Sequence, residues 1–282
     1  MGEELVLKPV DDRGPALRPL LKWPGGKRAL LDHIIPLLPQ SFNRYFEPFA
    51  GGAALFFALQ PQQAVLADRN SDLIACYTQV RDRPEEVIEC MGGMPNTKDD
   101  YYRIRDEMVP ASEAERAARF IYLASLSFNG IYRVNLDGKF NVPYGFKAHL
   151  QPCDQAAIRA ASTALASARL LPQTFGKALS SAAEGDLVYL DPPYTVVHSQ
   201  NGFLKYNARI FSWEDQKQLA KTANRLAGKG CHVIVSNADH EAIRTLYKDF
   251  AVRVIKRPSV IAASSHHRRT VTECLFYKEQ SA

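Results

Sequence analysis

The sequence predicts an α/β protein: a mixed, mostly parallel sheet with its last strand antiparallel, carrying a mainly helical insert. Three observations predict it. Short apolar runs (Arg44–Glu47, Ala64–Ala67, Leu187–Leu190, His232–Val235) alternate with helical stretches and stop at glycine, Asp or Asn-bearing turns, as βαβ units do. Between residues 76 and 150 that alternation gives way to consecutive helical periods. Finally, Val252–Ile255 and Val271–Tyr277 have no helix between them, so that pair is expected to run antiparallel.

The chain has 282 residues, room for one large domain or a domain with an inserted module. Its formal net charge of +5 allows nucleic-acid contact through local patches without demanding it. The five cysteines (Cys76, Cys90, Cys153, Cys231, Cys274) are scattered with no Cys-x-x-Cys pair, so neither a disulfide framework nor a metal site is expected. No window reads as a membrane span and no apolar leader opens the chain. A cytoplasmic protein is expected, with no membrane partner and no obligatory protein partner.

Residues 1–20 hold Pro9, Gly14, Pro15 and Pro19 without apolar periodicity and read as an arm. Gly25-Gly26 then precedes a helical period through Ala29, Leu30, Ile34, Leu37 and Leu38, ended by Pro36 and Pro39. A helix opening on such a loop offers backbone N–H groups to an anion, with Lys27 adding charge and Trp23 a flat apolar face. Taken alone, the same residues read as a tight turn. The strand Arg44–Glu47, the glycine turn Pro48–Gly52 and the apolar helix Ala53–Leu59 make half of a nucleotide-binding unit, although without Gly-x-Gly-x-x-Gly spacing. The next strand ends at Asp68, placed to accept hydrogen bonds from ribose hydroxyls, since Asn70 or Ser71 is available to begin the following helix.

Helices are expected over Asp72–Val80, Pro84–Met91, Lys98–Glu107 and Ser112–Ser127. Residues 128–145 then carry two turn dipeptides, Asn129-Gly130 and Asp137-Gly138, around a short β ribbon. Its aromatics interleave with Arg133, Lys139 and asparagines: stacking faces, bidentate donors and amides, the side chains that read bases. A hairpin with a solvated basic face has the same composition. The α/β order resumes with a helix over Asp154–Leu165, a strand over Leu170–Phe175 and the strand Leu187–Leu190. That strand stops at Asp191-Pro192-Pro193-Tyr194, because proline lacks the ladder N–H and fixes φ. A polar loop over Thr195–Phe211, a helix over Trp213–Leu226 capped by Ser212, a helix over Asp239–Tyr247 and a basic loop at residues 264–269 follow. Three loops (Glu47–Gly52, Asp68, Asp191–Tyr194) thus fall at the C-terminal ends of strands, where open parallel sheets bind ligands.

With these motifs in this order, the chain resembles the DNA adenine-N6 methyltransferases of the Dam type, the D12 class. These use S-adenosyl-L-methionine on a class I methyltransferase (Rossmann-like) fold. The matching stretches are Lys22–Lys27, Phe46–Ala53, Ala67–Leu73, Phe128–Gly130 through Asn141–Pro143, and Asp191–Tyr194. The resemblance implies a catalytic domain of residues 21–75 and 151–282 and a target-recognition domain of residues 76–150. It implies Trp23, Lys27, Glu47, Gly51, Asp68 and Asp191 as cofactor-binding, with Asp68 on the ribose and Glu47 and Gly51 near the methionine part. Asp191, Pro192, Pro193 and Tyr194 would be catalytic, acting on a flipped-out adenine. Phe128, Asn129, Ile131, Arg133 and Pro143 would read double-stranded DNA at a GATC site. The chain departs from the pattern at Pro24, where a small residue is usual, and at Gly51-Gly52-Ala53-Ala54, where Gly-x-Gly is usual. Adenine in RNA, cytosine N4 or a glutamine amide are alternative acceptors on the same fold, and a DNA-binding relative without catalysis is another reading. Asp at the first position of the turn, together with the ribbon, favours adenine in DNA.

Overall fold

The computed structural model describes residues 17–135, 137–147, 149–195, 211–258 and 270–278. Residues 1–16 of the expected arm, residues 196–210 of the polar loop and the basic loop 264–269 lie outside the described residues. The chain enters the fold through a broken helix: a 3-10 turn at Lys27–Leu30, one α-helical turn α1 (Leu31–Ile34) and a second 3-10 turn at Ile35–Leu37. The helix expected here, ended by Pro36 and Pro39, forms as these three short consecutive turns, with Pro36 inside the last.

Strands β1 (Tyr45–Glu47), β2 (Ala64–Ala67), β3 (Ala168–Leu171), β4 (Leu187–Leu190) and β5 (His232–Ala238) pair in parallel. With β6 (Ala251–Pro258) and β7 (Thr270–Tyr277) they form one seven-stranded sheet, ordered β3-β2-β1-β4-β5-β7-β6. β7 is antiparallel to both neighbours, with Ser236 opposite Leu275 and Val254 opposite Cys274. This is the expected mixed sheet, consistent with the class I methyltransferase fold. Chain order reverses about β1: β2 and β3 lie on one side of it, β4 and β5 on the other. The crevice beyond the C-terminal ends of β1 and β4 is therefore the topological switch point.

Strands β1, β2 and β4 are buried on both faces, which is why they read as apolar runs rather than alternating ones. Tyr45, Leu66, Leu187 and Tyr189 face one layer, and Phe46, Val65, Val188 and Leu190 the other. The first layer holds α2 (Ala54–Leu59), α3 (Ser71–Asp82), α4 (Pro84–Gly92), α5 (Lys98–Asp106), α6 (Glu113–Leu126) and α7 (Gln155–Leu165). The second holds α8 (Phe175–Ala178), α9 (Trp213–Gly228) and α10 (Glu241–Leu246). Local chemistry sets these helix ends. Thr97, Ser112 and Asp154 each accept a backbone N–H at an N-terminus, and Ser212 and Asp215 form a capping box on α9.

Several expected boundaries shift. Pro172 stops β3 at Leu171, so Phe175 opens α8 instead of ending a strand. β5 runs on through Ser236 and Asn237, whose polar groups are buried but paired. The helix expected over 239–247 shortens to α10 because His240 takes its N-cap. The ribbon forms as two isolated bridges, Ser127 with Tyr144 and Val134 with Phe140. Among the described residues no helix is long and apolar enough to cross a membrane.

Candidate active site

Asp191 leaves β4 at the switch point, and Lys27 and Glu273, from distant parts of the chain, meet it and Tyr194 there. The Lys27 ammonium lies 3.0 Å from Asp191 Oδ1, 3.9 Å from Glu273 Oε2 and 4.8 Å above the Tyr194 ring. It also donates to the Gly25 carbonyl at 2.7 Å. The anion-holding helix start expected at Gly25-Gly26 is therefore replaced by one buried side-chain cation aimed at the β4 turn. The Tyr194 hydroxyl donates to Glu273 Oε2 at 2.8 Å. Lys27 and Glu273 are buried, whereas Asp191 and Tyr194 keep partial access to the crevice.

The turn is braced from behind. Gln216 of α9 donates to the Pro193 carbonyl at 3.1 Å, and its own oxygen accepts from Asn237 of β5 at 3.0 Å. Thr195 donates to the Phe211 carbonyl at 2.7 Å. Both Gln216 and Asn237 are fully buried, so the bracing is shielded from water. Sequence reasoning missed Glu273, Gln216 and Asn237. The available signal was a polar residue inside each apolar period.

Burial governs the electrostatics. It pushes the Asp191 carboxyl up to about 6, against the pull of the Lys27 ammonium. At the end of β1, Glu47 is buried and accepts a 2.9 Å hydrogen bond from Tyr45; burial pushes its carboxyl up to about 8. Asp68 is also raised by burial, opposed by the backbone N–H groups of Asn70 and Gly51, which donate to its two oxygens at 2.9 and 3.1 Å. Asn70, not Asp68, caps α3 by accepting from Asp72 and Leu73, as the sequence led us to expect.

Gly51 has φ +45, and a Cβ there would lie 2.7 Å from Cδ1 of Trp23. Only glycine allows the loop to press this closely on the indole. Tyr77 of α3 secures the loop from below by donating to the Gly51 carbonyl at 2.8 Å. Beside Asp68 lies a cavity of about 260 Å³ lined by Arg69, Thr174, Phe175, Phe211, Asp215 and Gln218. Phe49, Phe175 and Phe211 pack as an aromatic triad next to it. Among the described residues no group of three or more His, Cys, Asp or Glu is placed to hold a metal ion.

On the ribbon, Phe128, Asn129, Arg133 and Pro143 are exposed, whereas Ile131 packs partly into the core. Asn129 adopts a left-handed φ of 55, and Arg133 Nε donates to Asn141 Oδ1 at 2.8 Å. The ribbon is anchored to α5 by Tyr101 and Arg105, both donating to the Val142 carbonyl.

Comparison with known proteins agrees with this arrangement. A family model described as "D12 class N6 adenine-specific DNA methyltransferase" matches residues 23–261. The chain is 41% identical over 268 residues to the type II methyltransferase M1.LlaDCHI of Lactococcus lactis subsp. cremoris, covering 92% of this chain and 94% of that protein. It is 32% identical over 264 residues to the DNA adenine methylase of Escherichia coli (strain K12), covering 92% and 94%. It is 30% identical over 276 residues to the type II methyltransferase M.MjaIII of Methanocaldococcus jannaschii, covering 90% and 96%. A match running from Trp23 past β6 spans all three loops at the switch point, and the chain belongs to the D12 class of N6 adenine-specific DNA methyltransferases.

Proposed function

We propose that the enzyme transfers a methyl group from S-adenosyl-L-methionine to N6 of an adenine flipped out of duplex DNA, at a GATC site. The observation that carries this reading is the Asp191 carboxylate, accessible at the switch point and held by a buried lysine beside the Tyr194 ring. Adenine N6 is a poor nucleophile because its lone pair is delocalised into the ring. Asp191 and the Pro192 carbonyl would accept the two N6–H bonds, draw the nitrogen towards tetrahedral geometry and free the lone pair. Holding the reactants in line is worth up to roughly 7–11 kcal/mol of the barrier. Tyr194 would stack on the adenine for about 1–3 kcal/mol, offsetting part of the cost of leaving the duplex.

When bound, the cofactor supplies an electrophilic methyl group on a sulfonium. Asp68 would hold its ribose hydroxyls, its carboxylate oriented for them by the backbone N–H groups of Asn70 and Gly51. Glu47 and Gly51 would lie along the amino-acid part, with Trp23 and Lys27 completing that wall, and the cavity beside Arg69 would take the apolar faces of the adenine. On the same reading, residues 76–150 are the target-recognition domain, set within a catalytic domain of residues 21–75 and 151–282. The exposure of Phe128, Asn129, Arg133 and Pro143 supports their reading the duplex, while Ile131 would support the ribbon from inside. Losing a bidentate Arg133 contact to a guanine edge would remove about 1–3 kcal/mol of discrimination.

The test is methyl transfer from labelled cofactor to duplex DNA, with methyladenine positions mapped by sequencing. Methylation at GATC that Asp191→Ala abolishes without loss of DNA binding is the expected result. Turnover by Asp191→Ala near that of the wild type would overturn the catalytic assignment, and label at another motif would overturn the target.

A further inference from the structure

Trp23 lies before the sheet and Tyr132 lies in the ribbon, yet their rings stack with centroids 5.2 Å apart and planes 17° apart. Phe120 of α6 closes the group, its ring 4.8 Å from Tyr132 and 6.2 Å from Trp23. The Tyr132 hydroxyl reaches 3.4 Å to Asp72 Oδ2, in the first turn of the helix that follows Asp68. The indole also presses on the β1 loop, where a Gly51 Cβ would lie only 2.7 Å away. One tryptophan thus touches both the glycine loop and a ring of the ribbon.

We propose that Tyr132 is a positioning residue that couples DNA on the ribbon to cofactor affinity at the wall made by Trp23 and Gly51. The proposal rests on the reading above, in which the ribbon binds DNA and Trp23 lines the cofactor site. Tyr132 is the chain neighbour of Arg133, so seating Arg133 on a base edge sets the backbone from which the Tyr132 ring projects. That ring is not free to swing, because Trp23, Phe120 and Phe140 pack against it and its hydroxyl reaches Asp72. The indole has little room to yield towards the glycine loop, where a Gly51 Cβ would lie 2.7 Å from its Cδ1. Packed rings transmit such a shift as a change in the shape of the wall rather than absorbing it. The coupling is reciprocal: bound cofactor raises DNA affinity by the factor by which bound DNA raises cofactor affinity.

The experiment measures the Kd of S-adenosylhomocysteine by calorimetry, with and without a saturating GATC duplex, and takes the ratio. For the wild type the ratio is expected within the roughly 5- to 150-fold range typical of coupled sites. Tyr132→Phe, which keeps the ring, should retain it, and Tyr132→Ala should bring it to about one. Tyr132→Leu, which fills most of the space without a π face, should also bring it to about one and serves if the alanine variant does not fold. A ratio of one in the wild type, or an unchanged ratio in the folded leucine variant, overturns the proposal. Failure of the underlying reading looks different. In that case Trp23→Ala binds S-adenosylhomocysteine as tightly as the wild type, or Arg133→Ala leaves the preference among duplex sequences unchanged.

Discussion

The Tyr194 hydroxyl hydrogen-bonds Glu273 across 79 residues of sequence, tying the turn after β4 to the antiparallel strand β7. Glu273 also faces Lys27, so the ring and the ammonium that flank Asp191 share one buried carboxylate. A hydrogen bond to a charged group is worth about 1.5–3 kcal/mol. Glu273→Ala should therefore lower kcat by roughly ten- to a hundredfold while leaving cofactor affinity within a few-fold. Glu273→Gln, whose amide oxygen can still accept from Tyr194, should lose less. Turnover of the alanine variant within twofold of the wild type would show that Tyr194 needs no anchor.

Asp191 is the stronger acceptor, and an acceptor at both oxygens, when ionised, and burial places its carboxyl at about 6. The pH profile of kcat/KM reports ionisations of the free enzyme, so it should fall on the acid side with a midpoint near 6. The Lys27 ammonium opposes that shift, so Lys27→Met should move the acid limb to higher pH whatever it does to the maximum rate. A limb that stays in place, measured by initial rates between pH 5 and pH 9, would detach it from Asp191.

Glu47 bears on stability, with the opposite dependence on pH. Its carboxyl sits at about 8 in the folded chain against an ordinary 4.5, so between those values the folded state keeps a proton that the unfolded state has released. Stability contributed at this site is therefore present at low pH, falls as pH rises through that window and levels off above it. Glu47→Gln stays neutral and can still accept from Tyr45, so its melting temperature should match the wild type at pH 4 and exceed it at pH 8.5. Parallel melting curves for the two proteins across that range would contradict the buried, protonated state.

Arg44 and Asp186 provide the contrasting case of a contact that holds the scaffold away from the chemistry. Asp186 is 1% exposed, accepts from the Arg44 backbone N–H and side chain, and accepts from Ala183 at 2.9 Å. The pair sits just before β1 and β4, at the sheet edge opposite the crevice. Arg44→Ala removes the cation and leaves the buried carboxylate with two backbone donors, and should cost about 3 kcal/mol. That corresponds to a fall in melting temperature of roughly 6–12 °C. KM for both substrates should remain as in the wild type. A changed KM with an unchanged melting temperature would reverse the assignment.

What the sequence made legible was chemistry with local causes. Leu187–Leu190 is a strand of the predicted bounds because prolines stop it, and the Ser212–Asp215 capping box marks the start of α9 unaided. β3 was misplaced because Ala168 and Arg169 continue the alanine-rich run of α7, and only pairing with β2 makes them a strand. β5 was cut short because Ser236 and Asn237 look like a turn until Tyr189 and Gln216, from other elements, satisfy them. Glu273 and Tyr132 eluded the sequence for the same reason. Their roles are pairings across most of the fold, and no spacing along one chain says which buried acid meets which hydroxyl, or which ring meets which indole.

β7 lies between β5 and β6, although both precede it in the chain. During synthesis the ribbon and the glycine loop leave the ribosome first, and the sheet edge beyond β5 stays open until β7 slots in. Only then does Glu273 reach Lys27 and Tyr194. A chain without β7 thus lacks the carboxylate that meets both Lys27 and Tyr194 beside Asp191.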